Sequence, residues 1–172
     1  MIISNRLRGA AWLGMIIVIV ICGIVSKPVN ICDPLWCRLL GAILLLISMR
    51  GAAVTGRYLA VYGNPIRRGR GPGEPTRLVR EGPYSCMRHP MHLFLSLFPL
   101  SLGLLASTSC SIIVGVAEAV LVLVLAVTID EKESITRFGK EYTEYRKKVP
   151  AFNLRPRCLL KALGRRPPKH KE

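Results

Sequence analysis

The sequence predicts an all-α integral membrane protein of about four transmembrane helices with a cytoplasmic amphipathic C-terminal helix. Three observations carry this expectation. The 172 residues are 51% hydrophobic and yet carry a formal net charge of +15. The two characters are partitioned, because four stretches nearly free of charge alternate with segments in which charge collects. The arginines and lysines also fall on alternate connections: Arg6 and Arg8 at the start, Arg67, Arg68, Arg70, Arg77, Arg80 and Arg88 in the middle, and the tail. The other two loops hold little beyond Lys27 and Arg38. The positive-inside rule then places both termini and the central segment on the cytoplasmic face. Basic flanks of this kind serve membrane topology, which argues against a nucleic-acid partner.

Taken in order, Ala11 to Val25 is an uncharged run long enough for a first span once it borrows turns from its flanks. A cleaved signal peptide shares its basic start and apolar core, but no small-x-small site follows and further spans come later. Leu35 to Met49 begins a second helix that continues through RGAAVTGRYLAVYG, where Arg50, Val54, Arg57 and Val61 fall on one face. The two arginines either snorkel to the interface or bind an anion. Gly63 to Pro75 is a Gly/Pro/Arg loop without periodicity. Third comes His92 to Ala106, with Pro99 expected to kink it, then a polar turn at Ser107 to Ser109 and a fourth helix from Cys110 to Ile129.

Between loop and third span lies GPYSCMRHPMHL, Gly82 to Leu93. Gly82-Pro83 reads as a turn, Tyr84 to Met87 as one helical turn, and Pro90 as the first residue of the next helix, where its missing N–H costs nothing. Arg88 and His89 then sit at a helix N-terminus, where free amides gather. After the fourth span, Glu131, Ile135, Phe138, Tyr142, Tyr145 and Val149 form one helical stripe ended by Pro150. Gly139 inside that helix costs about 1 kcal/mol relative to alanine and points to close approach of a ligand or neighbouring helix. From Leu154 the tail is basic and Pro-rich, and is expected to be poorly ordered and to touch anionic lipid.

The six cysteines, Cys22, Cys32, Cys37, Cys86, Cys110 and Cys158, show no zinc-site spacing, so no metal is expected. Cys32 and Cys37 share a short loop and are read as free thiols, or as a disulfide if that loop faces an oxidising compartment. Glu118, alone in the fourth span, is either a functional acid facing Arg50 or Arg57 or a protonated acid bonded to a neighbouring helix.

LVREGPYSCMRHPMHL, followed by an acidic pair and FGKEYTEYRKKVP, resembles the isoprenylcysteine carboxyl methyltransferase family and the related phospholipid N-methyltransferases. The likeness covers Thr76 to Phe152 and rests on two motifs in the right order. It implies an S-adenosyl-L-methionine cofactor held at the cytoplasmic ends of the last two spans and a lipophilic substrate entering from the bilayer. Carried over residue by residue, Thr76, Arg77, Leu78 and Val79 match the strip lining the cofactor, and Tyr84 matches a cofactor-contacting tyrosine. Arg88, His89 and Pro90 match the RHP of the family, with Met91 and His92 completing the stretch. His92 stands where tyrosine is common. Asp130 and Glu131 take the place of a Glu-Glu pair. Tyr142 lies on the same inner face. Ala126 stands where the isoprenylcysteine enzymes carry an arginine for the substrate carboxylate, so the methyl acceptor is open among carboxylate, amine and thiol.

The chemistry is consistent with those residue types. A carboxylate from Asp130 or Glu131 pairs with an ammonium or balances a sulfonium, and a tyrosine face attracts a cation by about 0.5 to 2 kcal/mol. Arg88 and His89 supply donors to a carboxylate. Methyl transfer is an in-line displacement that requires positioning and desolvation. Glu131, His89 and Arg88 are therefore the candidate catalytic residues, with Glu131 or His89 as base only for a protonated amine. Residues 1–62 are then an N-terminal helical hairpin, 63–153 a catalytic region with two further spans, and 154–172 a basic tail. Two other readings compete: a non-catalytic membrane scaffold or lipid-binding protein retaining the fold, and a small transporter using Glu118.

Overall fold

The computed structural model describes residues 5–27, 34–63 and 75–164, with only the backbone of residues 5–8. Among the described residues it is all-helical: α1 (Asn5–Val25), α2 (Pro34–Gly63), a 3-10 turn (Gly82–Ser85), α3 (Pro90–Ala106), α4 (Ser109–Leu125), a π-helical turn (Ala126–Asp130), α5 (Glu131–Phe138), α6 (Lys140–Lys148) and α7 (Pro156–Leu163). Two helical segments, Pro34–Gly63 and Ser109–Phe138, are long and apolar enough to cross a membrane, while Gly9–Val25 and Pro90–Ala106 are shorter apolar helices. The side chains of Arg6 and Arg8, Cys32, the arginines at 67, 68 and 70 and the chain beyond Gly164 lie outside the described residues.

The chain divides into two compact units, one of Met1–Met49 and Phe94–Leu125, the other of Arg50–Leu93 and Ala126–Glu172. In the first, helices meet through small residues. A Cβ on Gly41 would sit 2.9 Å from the carbonyl oxygen of Ser101, and one on Gly115 would sit 2.7 Å from that of Pro99, so only glycine permits these approaches. Ser48 Oγ donates to Phe94 O at 2.8 Å, a buried polar link between α2 and α3. Cys22 on α1 and Cys110 on α4 form a disulfide. The outer faces are apolar: Ile24 is 79% exposed, Leu46 69% and Ile113 68%, the reverse of the pattern that water selects.

The second unit holds the motifs. Gly82 takes φ +58° to enter the 3-10 turn, and Tyr58 packs where a Cβ would project. Pro90 opens α3 as its position predicts. The carbonyl of Cys86, just after the 3-10 turn, accepts from Asn153 Nδ2 at 3.4 Å.

Several expectations are corrected here. The stripe after the fourth span is carried by two helices, since Gly139 at φ +53°, ψ −125° ends α5 and begins α6. No atom lies within 4 Å of where its Cβ would be, so this glycine serves the backbone angle and not a close approach. The fourth helix leaves α-geometry at Ala126, where the π-helical turn inserts before the acidic pair. The segment after Leu154 is an ordered helix, α7, whose Cys158 and Ala162 are buried. Cys158 is bonded to Cys86, and Cys37 is also a disulfide cysteine, so the free-thiol reading of Cys37 fails. Arg50 neither snorkels nor waits for an anion: its Nε and Nη2 donate to Leu163 O and Gly164 O at 3.2 and 2.9 Å, capping the C-terminus of α7.

Candidate functional site

The site is built around Glu131, the first residue of α5 and one of the few charged side chains removed from solvent. Arg88, from the segment leading into α3, donates to Glu131 Oε1 from Nε at 3.1 Å and also from Nη2. On the other carboxylate oxygen, Arg146 Nε of α6 lies 3.2 Å from Oε2. Arg88 is itself held in place: its Nη1 donates to Val149 O and, at 3.1 Å, to Arg146 O. The backbone clamps the same segment, with Arg88 N–H donating to Pro150 O at 2.9 Å and His89 N–H to Ala151 O at 3.1 Å. The RHP stretch is thus zipped to the chain just after α6, which is why two motifs far apart in sequence share one site.

His89 Nε2 lies 3.4 Å from Glu131 Oε1 yet makes no hydrogen bond among the described residues, although it is buried. Burial first, and then the neighbouring His92, pull its pKa down to about 4 against the opposing pull of Glu131 and Asp130. The imidazole is therefore neutral near pH 7. His92 Nε2 meets Asp130 Oδ2 at 2.9 Å. The two imidazole rings stand edge to face with centroids 5.8 Å apart, and Phe152 lies 6.1 Å from His89.

Tyrosines form the wall. Tyr145 Oη donates to Tyr84 O, and Tyr84 Oη donates to Thr55 O at 3.4 Å. Tyr142 packs edge to face on Tyr145, and both close over Leu78 with Phe138 and Val149. Burial raises all three phenols, and for Tyr142 the charge of Glu131 adds to it. Tyr142 Oη is buried without a hydrogen-bond partner among the described residues. The Arg80 guanidinium lies 5.8 Å from the Tyr145 ring centroid.

The structure therefore gathers Arg88, His89, His92, Asp130, Glu131 and Tyr142. The remaining candidates are placed differently. Thr76 and Arg77 give their amides to Gly63 O at 2.8 and 3.1 Å, and the Arg77 side chain pairs with Glu81 at 2.8 Å in an exposed position. Leu78 and Val79 are buried packing residues, Tyr84 is a buried support, Pro90 begins α3, and Met91 lies beside Gly56. Among the described residues no cluster of His, Cys, Asp and Glu could hold a metal ion. Sequence reasoning missed Arg146, which lies off the apolar stripe, and Tyr145 as the donor that ties α6 to the 3-10 turn. The spacing from Glu131 to Arg146 crosses the break at Gly139, so no helical repeat foretells their meeting.

The family described as "Protein of unknown function (DUF1295)" matches residues 9–149. The chain belongs to this family. DUF1295 is associated with steroid 5-alpha reductase- and methyltransferase-like membrane proteins. Its matched stretch takes in Arg88, His89, Asp130, Glu131 and Arg146 and stops short of α7. Comparisons with curated proteins and with solved structures returned no match.

Proposed function

We propose that this DUF1295 chain is an S-adenosyl-L-methionine-dependent methyltransferase acting on a lipophilic membrane substrate, in the manner of the isoprenylcysteine carboxyl methyltransferases and phospholipid methyltransferases. The observation that carries the reading is a pair of buried polar atoms without partners, His89 Nε2 and Tyr142 Oη, beside the Glu131 centre. Buried polar groups are nearly always satisfied, so two orphans beside one charged centre call for a polar ligand. The amino-acid end of the cofactor fits them. Arg146, with 52% of its side chain exposed, is the partner that yields Glu131 Oε2 to a ligand ammonium, while the deeply held Arg88 stays. His89, kept neutral, offers Nε2 without repelling a cation.

Bound S-adenosylmethionine would supply a methyl group on a sulfonium. The tyrosine wall and the Arg88 clamp orient the ligand and exclude water. The substrate comes from the bilayer, and α1, the apolar length of α2, α3 and α4 are the four spans, with both termini and the site cytoplasmic. The apolar outer faces of α1, α2 and α4 and the alternation of basic connections support this disposition. It puts the Cys86–Cys158 disulfide on the side where thiols are held reduced, and the contacts of Arg88, His89 and Glu131 use neither sulfur.

The test is calorimetric titration of the detergent-solubilised chain with S-adenosylhomocysteine. One saturable site is expected, weakened about tenfold by Tyr142→Phe, which removes the hydroxyl and keeps the ring, Arg88 and Glu131. The saturation of Glu131 by two arginines favours one rival, a non-catalytic scaffold. Silence in both folded detergent samples and reconstituted bilayers would make that rival the better account. Binding of NADPH in place of S-adenosylhomocysteine would point to the reductase side of the family.

A further inference from the structure

We infer that the cavity between the end of α6 and the first turn of α7 is a binding site for the phosphate of an anionic phospholipid. The cavity measures about 800 Å³ and is lined by Lys148, Arg155, Arg157 and Lys161, with Ser85 and Asn153 among its polar neighbours and no aspartate or glutamate on its wall. Some exposed cations of this unit are paired with acids: Arg77 with Glu81 at 2.8 Å, Arg80 with Glu141 at 3.1 Å and Lys147 with Glu144 at 2.7 Å. Here Lys161 Nζ donates to Ser85 Oγ at 3.3 Å, and the side chains of Arg155 and Arg157 have no hydrogen-bond or ion-pair partner among the described residues. Like charges converging on one cavity repel unless an anion sits among them, and arginines suit a phosphate by their forked donors.

The walls are pinned. The Arg50 cap on Leu163 and Gly164 fixes the end of α7 against α2, and the Asn153 bond to Cys86 O ties the chain leading into α7 to the end of the 3-10 turn. A site held this firmly loses little freedom when it binds. A lipid is favoured over a soluble phosphate by what stands beside the cations. Leu154 and Leu160, each 68% exposed, project next to Arg155, Arg157 and Lys161, the combination that seats a helix in an anionic interface. Most of this surface lies beyond residue 149, where the family match ends. The inference rests on the membrane disposition proposed above and not on methyl transfer.

The experiment is native mass spectrometry of the full-length chain released from detergent containing equal phosphatidylglycerol and phosphatidylcholine. Wild type is expected to retain phosphatidylglycerol selectively. The double variant Arg155→Gln/Arg157→Gln should lose that retention about thirty-fold, by the usual contribution of each basic residue near an anionic surface. Arg155→Lys/Arg157→Lys should restore most of it, and S-adenosylhomocysteine titrations should be the same for all three proteins. Equal retention of both lipids by wild type, an unchanged preference in the glutamine variant, or full displacement of the lipid by millimolar inorganic phosphate would overturn the assignment. Loss of S-adenosylhomocysteine binding in wild type with lipid selectivity intact would sink the methyltransferase reading alone.

Discussion

Two glutamates are buried among the described residues, and they could hardly be treated more differently. Glu131 opens α5 with Arg88 on one oxygen, Arg146 on the other and the neutral His89 alongside. Glu118 stands in the middle of α4, 9% exposed, and its Oε2 is buried with no hydrogen-bond partner among the described residues. The reading of Glu118 as an acid bonded to a neighbouring helix thus fails for that oxygen. Glu131 lies where a charged segment meets an apolar one, so partners from other segments can reach it. Burial alone therefore does not mark a centre of organisation. The number of cations converging on the carboxylate does.

Breaking the better-served site should produce the largest effect. Arg88→Ala leaves Glu131 buried beside a vacancy and frees the carbonyls of Arg146 and Val149. Removing one partner of a buried ion pair costs about 3 to 5 kcal/mol, so thermal unfolding in detergent should show the variant severely destabilised or unfolded. Near wild-type stability would mean that Arg146 alone carries the carboxylate.

Acid should act through the same site with a smaller effect. The folded-state pKa of His89, about 4, lies below its ordinary value of 6.5, so the native state favours the neutral ring. That contribution is fully present above pH 6.5 and is lost as pH falls from there towards about 4, because the unfolded chain takes up the proton first. His89→Gln should flatten the stability profile across that window. A profile that drops equally in wild type and variant would assign the loss to the carboxylates instead.

How much of this could be read from the chain follows the range of the interactions. The four apolar helices were legible because hydropathy is local, whereas the single helical stripe from Glu131 to Val149 is broken by Gly139 into two helices. Pro90 announced the start of α3 because its constraint is also local. Gly139 was visible, but its purpose was not, because a left-handed φ and a close packing contact both ask for glycine. The helix of α7 was hidden by the prolines and arginines around it. Its eight residues meet Cys86 through Cys158 and are capped by Arg50, both distant in sequence. The candidate site was half legible. The resemblance supplied Arg88, His89, Asp130 and Glu131, while Arg146 and the clamp on Pro150 and Ala151 arise only when the two motifs meet.

The sharpest form of the comparison applies one substitution to both glutamates. Glutamine keeps the shape of the side chain and removes the charge. At Glu131 it turns the charge-assisted bonds from Arg88 and Arg146 into weaker neutral ones and leaves two guanidiniums without a counter-charge, so a clear loss of stability is expected. At Glu118 the orphaned oxygen has no hydrogen-bond partner among the described residues, so an amide in the same place breaks no charge-assisted bond there and should cost clearly less than at Glu131. The paired denaturation curves check this directly. Equal losses at the two positions would show that Glu118 acquires a partner in the bilayer, and the fourth helix, not only the turn that follows it, would then belong to the working part of the protein.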